Sequence, residues 1–182
     1  MKNQSDLEQA LLADKDIKRI LEIVASLEVE DAWLCAGTLR NFLWNGGVFD
    51  LETDVDVIFH DAAVSYEEML AIEKYLRQTY PSYQWEVKNQ VYMHQHSPHT
   101  QPYTSSKDAM SKYPERCTAI GARLLGDKQV EIYCPYGLEE ILRYRVRPTP
   151  HFQENPERMS LYRSRLTKKN WQQKWPNLQI EL

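Results

Sequence analysis

Cysteine is scarce and scattered. Cys35, Cys117 and Cys134 are the three in the chain, and no two form a Cys-x-x-Cys pair. That spacing argues against a disulfide framework and a zinc knuckle, and leaves three reduced thiols in or near the core as the expectation. No apolar run approaches the roughly 20 residues of a membrane-spanning helix. The first residues, MKNQSDLEQALLADKD, are acidic and polar where a secretory leader is basic and then apolar, so a cytoplasmic protein without a membrane partner is expected. The sequence has no internal repeat, no low-complexity tract and no evident interdomain linker. A Walker loop, a Gly-x-Ser-x-Gly elbow and a dinucleotide-binding fingerprint are also missing.

The composition that remains is that of an ordinary globular protein, 42% hydrophobic and 26% charged. A length of 182 residues suits one domain with a real core. That domain is expected to run over residues 1–182, with an N-terminal helix within 1–30 and a helical, basic part over about 137–182. The net charge of −4 hides an asymmetry. From Ile141 onward, Arg143, Arg145, Arg147, Arg158, Arg163, Arg165, Lys168, Lys169 and Lys174 face only Glu154, Glu157 and Glu181. Such an end can collect phosphates by Coulomb attraction, or it is simply a solvated helix face.

Hydrophobic spacing gives the elements. Leu7, Leu11, Ile17, Ile20, Leu21, Val24 and Leu27 recur near the helical period, and Ser5 with Glu8 reads as a capping box, predicting one first helix. Ala32-Trp33-Leu34-Cys35-Ala36 reads as a short buried strand ending at Gly37, before a helix over residues 38–44 that Gly46-Gly47 stops. Val55-Asp56-Val57-Ile58-Phe59 is the next strand. Ser65 and Glu68 form a second capping box, opening a helix with Met69, Ile72 and Leu76 inward that Pro81 closes. Residues 85–93 alternate as a third strand, 94–106 form a loop, and 107–113 make a helical turn. Residues 118–125 and 129–134 form a hairpin about Gly126-Asp127. Residues 138–144 are helical, and Asn155 caps a last helix that Pro156 opens and that reaches about Lys174. This order predicts an α+β fold, a mixed central sheet with flanking helices, and not a regular doubly wound one.

The chemistry concentrates in Gly37-Thr38-Leu39-Arg40-Asn41 and Thr53-Asp54-Val55-Asp56-Val57. Side chains alternate along a strand, so Asp54 and Asp56 share one face while Val55, Val57 and Phe59 bury the other. Two anions on one face repel unless a cation lies between them, and magnesium takes one or two carboxylates plus phosphate oxygens. Upstream, Gly37 ends a strand where a helix begins, so free N–H groups of the first helical turn point into the same space. A triphosphate laid there would meet those donors, the Thr38 hydroxyl and the planar fork of Arg40. The competing interpretation is a tight strand–turn–helix with a surface arginine and two loop carboxylates.

Gly-Thr at a strand–helix junction, followed by Asp-x-Asp on the next strand, resembles the DNA polymerase beta-type nucleotidyltransferase superfamily. There the pair is normally Gly-Gly or Gly-Ser, and Thr38 keeps the hydroxyl. More narrowly, AGTLRN, TDVDVIF, WEVKNQVYMH, PYTSSKDAM, YPERCTAIGARL, VEIYCPYGLEEIL and NWQQKWPNLQI are similar to segments of a bacterial nucleotidyltransferase-like family defined by fold and motif. The resemblance implies a nucleotidyltransferase-like fold that moves a nucleoside monophosphate from a nucleoside triphosphate to a hydroxyl on a small molecule, protein or RNA. It also implies two magnesium or manganese ions and a third carboxylate on a neighbouring strand between apolar residues. Glu86, in Trp85-Glu86-Val87, fits by strand order, and Glu131, in Val130-Glu131-Ile132, competes with it. Metal is thereby assigned to Asp54, Asp56 and Glu86, the last also placed to orient or deprotonate the acceptor hydroxyl. Phosphate is assigned to Gly37, Thr38, Arg40 and Lys88, which shares a strand face with Glu86. A non-catalytic nucleotide-binding or regulatory module on the same fold is the alternative, and a nucleic-acid-binding module led by the basic end is a third reading.

Other residues are less committed. Asn89 and Gln90 either read a base or satisfy backbone groups, and Arg116 and Arg123 are either phosphate ligands or ordinary ion-pair partners. His94, His96 and His99 invite a zinc reading, but no cysteine or carboxylate cluster accompanies them, and no structural zinc is expected. Trp33, Trp44, Trp85, Trp171 and Trp175 are expected mostly as core residues, though one beside the site could stack on a base.

Overall fold

The computed structural model describes residues 1–182. The chain begins with α1 (Gln4–Ala13), α2 (Lys15–Ala25), β1 (Trp33–Cys35), α3 (Gly37–Trp44) and β2 (Asp54–Phe59). It continues through α4 (Tyr66–Thr79), β3 (Gln84–Asn89), α5 (Gln90–Met93), α6 (Ser106–Ser111), β4 (Gly121–Leu124) and β5 (Val130–Tyr133). It ends with α7 (Glu139–Leu142), β6 (Arg145–Val146), α8 (Pro150–Gln153), α9 (Pro156–Lys169) and β7 (Gln179–Ile180). One five-stranded sheet has the order β3-β2-β1-β4-β5. Its β2–β3 pair is parallel and its other pairs are antiparallel. This is the expected mixed sheet with flanking helices; the short parallel β6–β7 pair and α8 were not foreseen.

The alternation of β2 explains why the sheet can carry charge. Val55, Val57 and Phe59 enter the main core with Trp85 and Val87 of β3, Leu7 and Ile20 of the first helices, and Met69 and Leu76 of α4. The opposite face holds a small cluster of Trp33, Cys35, Ile58 and Met110. Asp54 and Asp56 fall on that second face by the two-residue period. Strand β3 is an edge, and α4 blocks it. Glu73 accepts from Val87 N–H at 3.0 Å, and Arg77 donates to the Trp85 carbonyl at 3.1 and 3.0 Å.

Several boundaries differ from the sequence expectation. The first helix is two helices, because Asp14 leaves helical geometry (φ −79°, ψ 120°) and its side chain accepts from Asp16 and Ile17 N–H to start α2. The true cap of α1 is Asn3, not Ser5. The third strand ends at Asn89, whose side chain caps α5. The last helix stops at Lys169, because Asn170 turns left-handed (φ 47°, ψ 48°), and Trp171–Gln173 follows as a short 3₁₀ turn. The Asn89 side chain takes the Val91 N–H and so ends the strand, whereas asparagine at 170 tolerates the left-handed geometry that ends the helix.

The β1–α3 junction is the most constrained point. Ala36 sits at φ 55° and ψ −127°, a conformation that L-residues with a β-carbon rarely adopt, and no side chain caps the helix that follows. Two residues on, the buried Thr38 hydroxyl donates to the Asp54 carbonyl and accepts from Asp56 N–H, both at 2.7 Å. That one hydroxyl bolts the start of α3 to β2 on either side of Val55. Replacing it with an isosteric methyl leaves both backbone groups without their partner. Thr38→Val is therefore expected to lower unfolding free energy by on the order of 2–3 kcal/mol, and Thr38→Ser by under about 1 kcal/mol. Chemical denaturation of the two variants checks this, with equal losses contradicting it.

Candidate functional site

The parallel register of β2 and β3 places Asp56 directly beside Glu86. Burial pushes the Asp56 carboxyl up to about 7, and the adjacent Glu86 charge and hydrogen bond, with Asp54 behind, act in the same direction while Arg40 opposes them. Asp54, two residues earlier, is exposed. Gly37 faces this pair. A β-carbon there would stand 3.1 Å from Asp56 Oδ2 and 3.2 Å from Arg40 Nη2, so the missing side chain keeps the space over the carboxylate clear.

The space is a cleft with two compartments. A polar throat of about 210 Å³ is lined by Gly37, Arg40, Asp54, Asp56, Glu86 and Arg165, among others. A chamber of about 360 Å³ shares Asp56, Glu86, Thr118 and Arg165 with the throat and adds Lys88, Tyr103, Tyr113 and Phe152. Beyond Asp54, a groove of about 540 Å³ leads away past Lys169 and Lys174.

A buried polar network forms the floor. Arg40 Nη1 donates to the Thr118 hydroxyl at 2.8 Å, and Thr118 donates to the fully buried Glu115 at 3.2 Å. Arg165 Nε donates to both Glu115 oxygens, at 3.0 and 3.1 Å. Both guanidinium groups lie over the Trp171 ring, Arg40 at 4.1 Å and Arg165 at 5.7 Å from its centroid. Burial lowers the Arg40 pKa, with the neighbouring anions working against that shift.

The structure thus gathers Gly37, Arg40, Asp54, Asp56 and Glu86 around one space, with Lys88 in the adjoining chamber. The Thr38 hydroxyl is occupied by β2 backbone. The Arg40 fork is engaged by Thr118 and Asn41, the latter at 3.2 and 3.1 Å. Lys88 lines the chamber and not the throat. Glu131 lies on β5, at the far edge of the sheet from β3. Burial raises its pKa, but hydrogen bonds from Arg123 and Lys107 outweigh that and hold the carboxyl below the usual range. Asn89 serves backbone, donating to the Asp61 and Val64 carbonyls, and Gln90 donates to the Lys88 carbonyl while also lining the chamber. Arg116 donates to the Pro148 carbonyl and Arg123 pairs with Asp31 and Glu131. His99 meets Glu157, and His96 lines the chamber.

Sequence reasoning missed Glu115 and Thr118, and named Arg165 only within the basic end and Trp171 only among the tryptophans. Arg158, Tyr162, Arg165 and Lys169 follow helical spacing, so a stripe on α9 was visible, yet nothing in the chain order ties it to Glu115. Part of the basic end is paired, through Arg147–Glu140, Arg143–Glu139, Arg165–Glu115 and Lys174–Asp50, while Arg145, Arg163, Lys168 and Lys169 make no ion pair.

The donor set suits a hard dication. Asp54, Asp56 and Glu86 offer only oxygens, and a pair that retains a proton up to about 7 is a pair that a cation would relieve. The protein alone does not draw three such side chains into a closed metal-holding group. The raised pKa of Asp56 also has a stability consequence. Between the ordinary value near 4 and about 7 the native state holds a proton that the unfolded chain releases, so this group's contribution declines as pH rises through that window. Asp56→Asn removes the penalty. Without divalent metal, the variant is expected to match the wild type near pH 4 and to exceed it at pH 8 by up to about 4 kcal/mol. Paired denaturation curves across pH test this, and a difference that stays flat from pH 4 to 8 contradicts it.

Residues 22–180 match the model of a family described as nucleotidyltransferase. A solution NMR structure described as a CCA-adding enzyme head domain is 57% identical, with a TM-score of 0.93 over 100% of this chain and 97% of that one. An apo CCA-adding enzyme is 13% identical with a TM-score of 0.60, and a Thermotoga maritima CCA-adding enzyme solved with tRNA is 12% identical with a TM-score of 0.58. The chain spans 43% of the length of each of those two enzymes, and at such identity they show the fold alone. No functionally curated protein matches the sequence. With a family match across residues 22–180 and a head-domain fold carrying Gly37 and the Asp54/Asp56 pair at its cleft, the chain belongs to the nucleotidyltransferase family, within the polymerase beta-type superfamily.

Proposed function

We propose that this cleft transfers a nucleoside monophosphate from a metal-bound nucleoside triphosphate to an acceptor hydroxyl. The observation that carries the reading is the Asp56–Glu86 pair, facing the uncapped start of α3 across a space that a β-carbon at Gly37 would crowd. The triphosphate lies in the throat, its oxygens toward the first-turn N–H groups of α3. Asp54, Asp56 and Glu86 hold magnesium or manganese, which when bound neutralises charge on the phosphates and lowers the barrier to attack. The acceptor enters through the chamber on the Glu86 side, and Glu86 orients its hydroxyl or takes its proton. A bond forms from the acceptor oxygen to the α-phosphorus, the bond to the β-phosphate oxygen breaks, and pyrophosphate leaves. Thr38 and Arg40 act here as supports for the α3–β2 junction, and Lys88 as a chamber cation. The tRNA-bound structural relative makes an RNA 3′ hydroxyl the first acceptor to assay.

A second reading, binding without turnover, is favoured by one observation: the three carboxylates are not gathered into a closed metal-holding group. Incorporation of α-labelled nucleotide into an RNA oligonucleotide separates the two readings.

Thermal melting with magnesium and ATP, CTP, GTP or UTP tests the shared premise. At least one nucleotide should stabilise the wild type in a metal-dependent way, by about 2.7 kcal/mol at a hundred times its Kd. Asp54→Asn, Asp56→Asn and Gly37→Val, each folded, should lose that stabilisation. If no nucleotide raises the melting temperature, or all three variants respond like the wild type, the proposal fails.

A further inference from the structure

Arg165 stands on the wall that throat and chamber have in common. Its hydrogen bonds to protein run through Nε alone, to the two oxygens of a carboxylate with no exposure. Glu115 is itself fixed by the Thr118 hydroxyl, which Arg40 holds in turn. The Trp171 ring underlies the guanidinium. The two terminal nitrogens of Arg165 have no protein partner, and the one buried side-chain polar atom without a partner is His94 Nδ1. Neither end of the Arg165 fork is therefore buried, consistent with a side chain 31% exposed on a residue that lines both compartments.

A guanidinium gripped at Nε can no longer swing, and it presents its two remaining nitrogens in one plane. That edge matches two oxygens of a phosphate. The rest of the throat is short of such donors. Arg40 has engaged its fork with Thr118 and Asn41, and Lys169, although it lines the throat, is an exposed amine on a flexible stem. The buried Glu115 contributes most by direction, since it fixes which edge of Arg165 faces the space beside Asp56 and Glu86.

We propose that Arg165 is the phosphate-contacting arginine of the cleft, set on the non-bridging oxygens of the phosphate being transferred, and that Glu115 is its positioning residue. The inference rests on the nucleotide reading above. Because Arg165 spans the boundary between the compartments, it meets the phosphate lying nearest the acceptor and not the tail that leaves toward Lys169.

Arg165→Lys is the informative variant, because an ammonium still pairs with Glu115 and spares the fold a lone buried carboxylate. It should melt within a few degrees of the wild type without ligand. Calorimetric titration with magnesium and ATP, CTP, GTP and UTP in turn should show its affinity reduced by about 10- to 100-fold, the loss of a two-point charged contact. Glu115→Gln should weaken binding in the wild-type background and add nothing in the Arg165→Lys background, a non-additivity that a purely structural Glu115 would not produce. If the wild type binds a nucleotide and Arg165→Lys binds it equally well, this inference falls while the nucleotide reading stands. If Glu115→Gln weakens binding by the same factor in both backgrounds, the positioning role falls. If the wild type binds none of the four, both readings fall together.

Discussion

Two carboxylates held side by side on parallel strands are the arrangement on which the rest of this structure turns. Asp56 and Glu86 cannot slip apart, because they occupy one register position of the β2–β3 pair, and a register shift would turn Val55, Val57, Trp85 and Val87 out of the core. The strands are locked by apolar burial on one face, so repulsion on the other face has no mechanical outlet. Burial of the Asp56 carboxyl comes first and the repulsion adds to it, and together they push its pKa up to about 7. Like-charge repulsion that geometry does not relieve is available to drive cation binding, and this connects the packing of the far face to the chemistry of the near one.

The surroundings of that pair divide into supports and open groups. Thr38, Arg40, Thr118 and Glu115 have their polar atoms matched within the protein, as buried polar groups must. Gly37, Asp54 and Arg165 are the points left open, the first by lacking a side chain, the second by exposure and the third by engaging only one of its nitrogens. Ala36 belongs with the supports. It bears a left-handed conformation that glycine would adopt without strain, and it turns the chain sharply enough to aim the start of α3 at the carboxylates.

The fold was legible where period and punctuation agree. The strands around Leu34 and Val57, the capping box at Ser65 and Glu68, and the hairpin about Gly126-Asp127 follow from local patterning. The break at Asp14 was not, because Asp14 caps a helix through its side chain while both flanking segments keep one helical period. At the site, alternation alone put Asp54 and Asp56 on one face, and strand order put Glu86 within range, with the parallel register giving the exact neighbour. The expected roles of Thr38 and Arg40 rested on side-chain chemistry, and that chemistry is used inward. Arg165 was hidden for the opposite reason. Its setting depends on Glu115, fifty residues away, and on Trp171, which the sequence order assigns to the core and which lies there beneath it.

The exposure of Asp54 bears on how such a site would be completed. Magnesium dehydrates reluctantly and is usually held by one or two carboxylates together with substrate phosphates, without a cage made wholly of protein. A preformed group of three carboxylates in this cleft would require Asp54 to close on Asp56 and Glu86, adding to the repulsion that, with burial, already raises the Asp56 pKa. Leaving Asp54 in solvent at the mouth, between the throat and the outer groove, keeps that cost low in the free protein. The open arrangement of the three acids is thus what electrostatics favours in the free protein, and it follows from the same adjacency of Asp56 and Glu86 that makes the cleft receptive to a cation.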